Sequence, residues 1–163
     1  MKIFNCSRRY AETHKSELEA DDSLFVVSIN DFCKNDDGMV KDLCCPPISP
    51  KHGIVLFFDD ATPADIGLKG ITKVFDRKMA YFILESIEEA LKNTEITHIL
   101  VHCSAGISRS AAVSRILNDF VNSVLSENET DWEYNDKHGF ELPPTPNPHI
   151  LATMRNVLYD EFL

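Results

Sequence analysis

The chain has 163 residues, 44% of them hydrophobic and 26% charged, and a formal net charge of −10. That size and balance predict one globular domain over residues 1–163 with a substantial core. The acidic surplus argues against nucleic acid or an anionic membrane as partner, since both want a basic face, and no apolar run approaches the roughly 20 residues of a membrane span.

The elements follow in chain order. Residues 1–10 hold no apolar stretch of the signal-peptide kind, which points to a cytoplasmic protein. Residues 2–5 read as a short edge strand, and Ser7 as the cap of a helix to about residue 18. Residues 24–29, Leu-Phe-Val-Val-Ser-Ile, are apolar and β-branched and predict a central strand. Residues 30–50 hold Asp36-Asp37-Gly38 and three prolines, so they read as irregular chain with room for a short strand or hairpin.

Residues 53–58 predict a second buried strand. Thr62, Pro63 and Asp65 then form a capping-box-like helix start. A longer helix over residues 75–92 carries Phe75, Met79, Phe82, Ile83, Ile87, Ala90 and Leu91 on one face. Ile99, Leu100 and Val101 fill a third buried strand. Residues 108–125 return to helical spacing, with Val113, Ile116, Leu117, Phe120, Val121 and Val124.

Residues 126–141 carry six acids against one lysine and read as a solvated loop, with selection of a basic partner as the sharper alternative. Residues 142–146 form an extended, proline-rich connector. Residues 147–163 close the chain as a helix with Ile150, Leu151, Met154, Val157 and Leu158 inward. Strands alternating with helices imply an α/β three-layer sandwich, with a mostly parallel central sheet of about four to five strands flanked by helices.

Five cysteines (Cys6, Cys33, Cys44, Cys45 and Cys103) are an odd number without disulfide-framework spacing. They fit a reducing compartment and small, partly buried side chains. Cys44-Cys45 with His52 lacks the paired spacing of a zinc site, so neither metal nor cofactor is expected.

The chemistry concentrates where the third strand meets its helix. A loop in that position aims backbone N–H groups at one point, and the helix N-terminus adds partial positive charge there. Ser104, Ala105, Gly106, Ile107, Ser108 and Arg109 thus form an anion cradle with Cys103 at its entrance. Arg109 supplies a bidentate fork suited to phosphate oxygens. The same field favours a thiolate at Cys103, and so a nucleophile. Gly106 allows the tight turn. Ser110 can bond the sulfur and ease its departure.

His102-Cys103, five residues, then Arg109-Ser110 make a His-Cys-x5-Arg-Ser signature. It resembles the cysteine-dependent protein phosphatases, and Cys-x-Ala-Gly-x-Ser-Arg-Ser is most similar to their dual-specificity branch. The resemblance implies a compact phosphatase fold over the whole chain, a monomer, and a phosphorylated protein or peptide as substrate. Its specific motifs lie at residues 57–63 and 98–110, with a weaker one at Pro146-Asn147. Asn147 resembles a position that packs near the cradle. Two departures leave substrate choice open: the cradle has no lysine of the kind found in phosphoinositide-directed relatives, and no separate phosphotyrosine-recognition loop is evident.

Attack by Cys103 expels an alkoxide or phenoxide, which a general acid must protonate. The resemblance places that acid on a loop at this point in the order of elements, often shortly before a proline. Asp60 fits best and Asp59 is the alternative; Asp65 is better explained as a helix cap, and Asp76 lies at the start of the long helix. His102 is expected to order the loop through hydrogen bonds and to tune Cys103. The leading expectation is an enzyme hydrolysing phosphotyrosine, and phosphoserine or phosphothreonine, through a cysteinyl-phosphate without metal. Its rivals are a phosphatase acting on RNA 5′ ends or phosphoinositides, and a phosphate-binding module without turnover.

Overall fold

The computed structural model describes residues 1–37, 39–124, 131–134 and 144–163. The chain opens with strand β1 (Lys2–Ser7) and two short helices, α1 (Arg8–Thr13) and α2 (Lys15–Ala20). Ser7 caps α1 by accepting the Tyr10 N–H at 3.1 Å. The single helix expected here breaks at His14, whose φ of −104° and ψ of 19° leave the helical region.

Strands β2 (Leu24–Asn30), β3 (Phe32–Lys34), β4 (Val40–Leu43) and β5 (His52–Phe57) follow. Next come a single 3₁₀ turn (Pro63–Asp65), helix α3 (Arg77–Leu91), strand β6 (His98–Cys103) and helix α4 (Arg109–Val124). Strand β7 (Asp131–Tyr134) and helix α5 (Pro148–Val157) close the chain, with a π-helical turn (Leu158–Phe162) after α5.

The central sheet is parallel throughout, in the order β5-β2-β6-β1-β7. One face packs on α3, α4 and α5 through Val27, Ile29, Ile99 and Val101 against Ile83, Ile87, Val113, Ile116 and Ile150. The other face meets α1 through Cys6, Val26 and Leu100 against Ala11, with Leu18 of α2 at the rim. Each such large side chain contributes about 2 kcal/mol by leaving water. This is the expected α/β three-layer arrangement. It brings the carboxyl ends of β1, β2, β5 and β6 to one edge, where open α/β sheets hold their ligands.

Several expectations need correction. β1 is not an edge strand: it lies between β6 and β7. β5 is an edge, and Val55 is 45% exposed. Strand order is a long-range property, and a short apolar run does not encode it. The helix expected after Thr62 is one 3₁₀ turn. The capping box is formed, with Thr62 N–H donating to Asp65 at 2.8 Å, but Gly67 and Gly70 take φ of +93° and +89° and stop propagation.

Residues 131–134 are a strand paired with β1, not solvated loop. Their alternation, Asp-Trp-Glu-Tyr, carries the period-2 signal of a strand within an acid-rich stretch. The rest of the acidic segment 126–141, and residues 142–143 of the connector, lie outside the described residues. Finally, Cys33 and Cys44 form a disulfide, with Cα atoms 5.3 Å apart. No spacing rule reveals it, because it depends on the β3–β4 hairpin register, which sets Cys33 against Asp42, two residues before Cys44.

Candidate active site

The loop from β6 into α4 is fixed by backbone bonds on both flanks. Ser104 C=O accepts the Arg8 N–H at 3.2 Å. Gly106 C=O accepts the Asn5 side-chain amide at 2.8 Å. On the far side, Ile107 C=O accepts the Thr145 N–H at 3.0 Å, and Ser108 C=O accepts the Asn147 N–H at 3.3 Å. With the carbonyls drawn outward, the N–H groups are left for the interior. Gly106 sits at φ +77°, and a Cβ there would stand 2.6 Å from Cys6 C and from Ser7 N. Any side chain would therefore push the loop off β1.

Cys103 is buried at the end of β6. Gly106 N–H donates to its Sγ at 3.2 Å, and Ser110 Oγ stands 3.2 Å from the same sulfur. Arg109 is only 5% exposed. Its guanidinium donates to Phe58 C=O at 2.8 Å and to Ser104 Oγ at 3.0 Å, and pairs with Asp31 at 2.7 Å. Its Nε is buried and has no hydrogen-bond partner. A buried donor without an acceptor is costly, at about 1–3 kcal/mol, and a phosphate oxygen would satisfy it.

Asp59 and Asp60 follow β5 and diverge. Asp59 is turned into the protein, where it accepts from Lys34 Nζ at 2.5 Å, Thr72 N–H at 2.6 Å and Lys73 N–H at 2.9 Å. Partial burial opposes ionisation, but Lys34 and the two amides outweigh it and hold the carboxyl below the usual range. Asp60 is exposed on the cradle rim and accepts from Ser108 Oγ at 2.9 Å and Asn147 Nδ2 at 2.8 Å. Asn147 also caps α5, its Oδ1 accepting the His149 and Ile150 N–H groups at 2.9 and 3.2 Å. Asp65 serves the 3₁₀ turn, and Asp76 caps α3 by accepting the Met79 N–H at 2.9 Å.

His102 is not a hydrogen-bonding organiser of the loop. Side chains alternate along β6, so His102 faces the α1 side while Cys103 faces α4. Both ring nitrogens are buried without a partner. Burial, with Arg8 and Arg109 adding to it, lowers its pKa to about 4, so the ring is neutral at pH 7. Cys6 lies on the same face. Burial pushes its thiol well above the ordinary range, and nearby Cys103 adds to the effect.

Sequence reasoning missed Asp31. It follows β2 directly, at the same sheet edge as Cys103, and it binds both Arg109 and the Ser104 hydroxyl. Burial raises its pKa, but those two partners prevail and the carboxyl is held below its ordinary value. The signal was an acid at the carboxyl end of a central parallel strand, legible only once β2 is known to lie beside β6.

Comparison with family models, curated proteins and solved structures finds no match for this chain. The functional reading therefore rests on the residues and their geometry.

Proposed function

We propose that this chain is a cysteine-based phosphatase that hydrolyses phosphate monoesters on protein side chains, acting on phosphotyrosine and on phosphoserine or phosphothreonine in the cytoplasm. The observation that carries the reading is the buried, unpartnered Nε of Arg109 beside a sulfur that already receives the Gly106 N–H and faces the Ser110 hydroxyl. Donors converging on one point from a helix N-terminus suit a phosphoryl group, and donors on the sulfur suit a thiolate nucleophile.

Cys103 Sγ attacks phosphorus in line with the ester oxygen. The P–O bond breaks as the S–P bond forms, and Arg109 with the cradle amides balances the charge on the equatorial oxygens. Asp60 gives its proton to the departing oxygen. Water then attacks the cysteinyl-phosphate and passes its proton to Asp60, while Ser110 donates to the sulfur as it leaves. Ser108 and Asn147 hold Asp60 over the cradle.

The test is hydrolysis of p-nitrophenyl phosphate, phosphopeptides, phosphoinositides and 5′-triphosphate RNA, each with and without EDTA. Turnover of the first two, unaffected by chelator and abolished in Cys103→Ser, is expected. Activity that survives Cys103→Ser, or that a divalent ion restores after EDTA, would overturn the mechanism. Preference for the lipid or the RNA would overturn the substrate class.

A further inference from the structure

Between β2 and β4 the chain makes a short detour whose four residues 31–34 each perform a separate task. Asp31 pairs with Arg109 at 2.7 Å and binds the Ser104 hydroxyl, so it touches both the first residue of the cradle and its cation. Phe32 packs on Phe57 at the end of β5, with ring centres 6.1 Å apart. Cys33 is bonded to Cys44. Lys34 reaches Asp59 at 2.5 Å and also binds Gly70 C=O, at two points of the segment that carries Asp60. One strip of backbone thus braces the phosphate-binding arginine at one end and the segment bearing the candidate acid at the other.

What holds the strip itself is thin. β3 has three residues and β4 has four, the ladder slips between Cys33 and Lys34, and β4 is exposed along its whole length. A lone two-stranded ribbon of this size is marginal in water. The cross-link between Cys33 and Cys44 compensates, because it removes freedom from the open form of the loop it closes. Neither cysteine is fully buried: both are half-buried.

We propose that residues 31–34 are the positioning element of the site, and that the Cys33–Cys44 disulfide controls it, so that a dithiol reductant switches the site from braced to slack. Reduction is a balanced two-electron exchange. A thiolate of the reductant attacks one sulfur of the pair and the other departs as a thiolate. The reductant's second thiolate then resolves the mixed disulfide. Cys33 and Cys44 end as thiols, and the reductant ends as a cyclic disulfide. The freed hairpin frays, Lys34 leaves Asp59, and the segment 59–73 loosens together with the Asp31–Arg109 pair. The part concerning activity rests on the phosphatase reading; the part concerning the brace does not.

The experiment reads the two parts separately. Protein with Cys33–Cys44 intact and Cys103 free, verified by alkylation and peptide mass, is compared before and after dithiothreitol and with the Cys33→Ser/Cys44→Ser variant. The first readout is amide hydrogen exchange at Thr72 and Lys73, whose N–H groups donate to Asp59. Exchange there should quicken about tenfold or more on reduction. It should be equally fast in the double variant with or without reductant. Lys34→Met should match the reduced protein and gain nothing further from dithiothreitol, while Lys34→Arg keeps slow exchange.

The second readout is kcat and KM for p-nitrophenyl phosphate. kcat/KM should fall by about tenfold on reduction, through both parameters, since Arg109 serves binding and the Asp60 segment serves turnover. It should recover on reoxidation. Unchanged exchange at Thr72 and Lys73 in the reduced protein and in the double variant would overturn the proposal, even in an active enzyme. Redox-sensitive exchange in a protein that never turns over phosphate esters would uphold the brace and sink the phosphatase reading instead.

Discussion

Two loops meet at Arg109 and are built in opposite ways. The cradle after β6 is held mainly by its own carbonyls: those of Ser104, Ile107 and Ser108 accept main-chain N–H groups of neighbouring segments, and that of Gly106 accepts the Asn5 side-chain amide. The loop after β2 is held by side chains and one covalent link: Asp31 on Arg109, Lys34 on Asp59, and Cys33 on Cys44. Backbone bonding fixes the path of the loop and depends on little else. Side-chain bracing sets the charges around it and depends on ionisation and redox state. The contrast predicts that damage to the first loop acts on chemistry, and damage to the second acts on stability and tuning.

The sharpest way to break the comparison is at the two adjacent carboxylates. Asp60→Asn should lower kcat by roughly 10²–10⁴-fold with little change in KM, the usual size of a general-acid contribution. The loss should shrink as the leaving group becomes a more stable anion. Asp59→Asn should lower kcat by less than about tenfold and act chiefly on folding, at a cost of about 3 kcal/mol, because Lys34 would lose its carboxylate and keep only Gly70 C=O. Steady-state kinetics over a series of aryl phosphates separates the two. A large, leaving-group-dependent loss at Asp59 instead would exchange their roles.

Arg109→Lys should lower kcat by roughly 10²–10³-fold, as loss of a fixed anion-binding donor does. A point cation cannot keep Phe58, Ser104 and Asp31 while also offering a phosphate-facing edge. Near-normal kinetics would show that the main-chain amides suffice, which sharpens the contrast in favour of the backbone.

The smallest effects are read from pH. His102 is buried neutral with its pKa lowered to about 4, against the ordinary value of about 6.5. The unfolded chain therefore takes up this proton first. Stability is full above about pH 6.5 and falls as pH drops towards 4, by an amount on the order of 3 kcal/mol. Asp59 and Asp31 act lower down. Their folded pKa values are depressed. Their contribution is thus present above the ordinary carboxylate range and lost only as pH falls through the folded values. Urea midpoints from pH 7 to 3 should show two stages. His102→Gln should flatten the upper stage, and Asp59→Asn the lower. One undivided stage in wild type would contradict the assignment of the two regions.

The strand, loop and helix that carry Cys103 and Arg109 were legible in the sequence because they are contiguous. The placement of Asp60 beside that loop was legible because β5 ends at the same sheet edge. Asp31 was not, since it lies 73 residues from Ser104 and joins it only through the side-by-side placement of β2 and β6. The Cys33–Cys44 bond escaped for the same reason, since a hairpin register decides it. His102 was misread because adjacency to Cys103 in sequence means opposite faces in a strand. The acid-rich run masked the alternation that makes β7.

The position of β1 also bears on how the protein is made. Both of its neighbours in the sheet, β6 and β7, come from the second half of the chain. A nascent polypeptide growing at the ribosome thus holds β1 without either of these mates until His98 and the residues after it have emerged, whereas β2 can pair with β5 much earlier. The Asn5–Gly106 contact spans 101 positions, and such long-range closure is slow. The last step of folding would then be insertion of β1, which completes the sheet and the loop after β6 together. Until that moment, β1 is an open edge for which chaperones and aggregation compete.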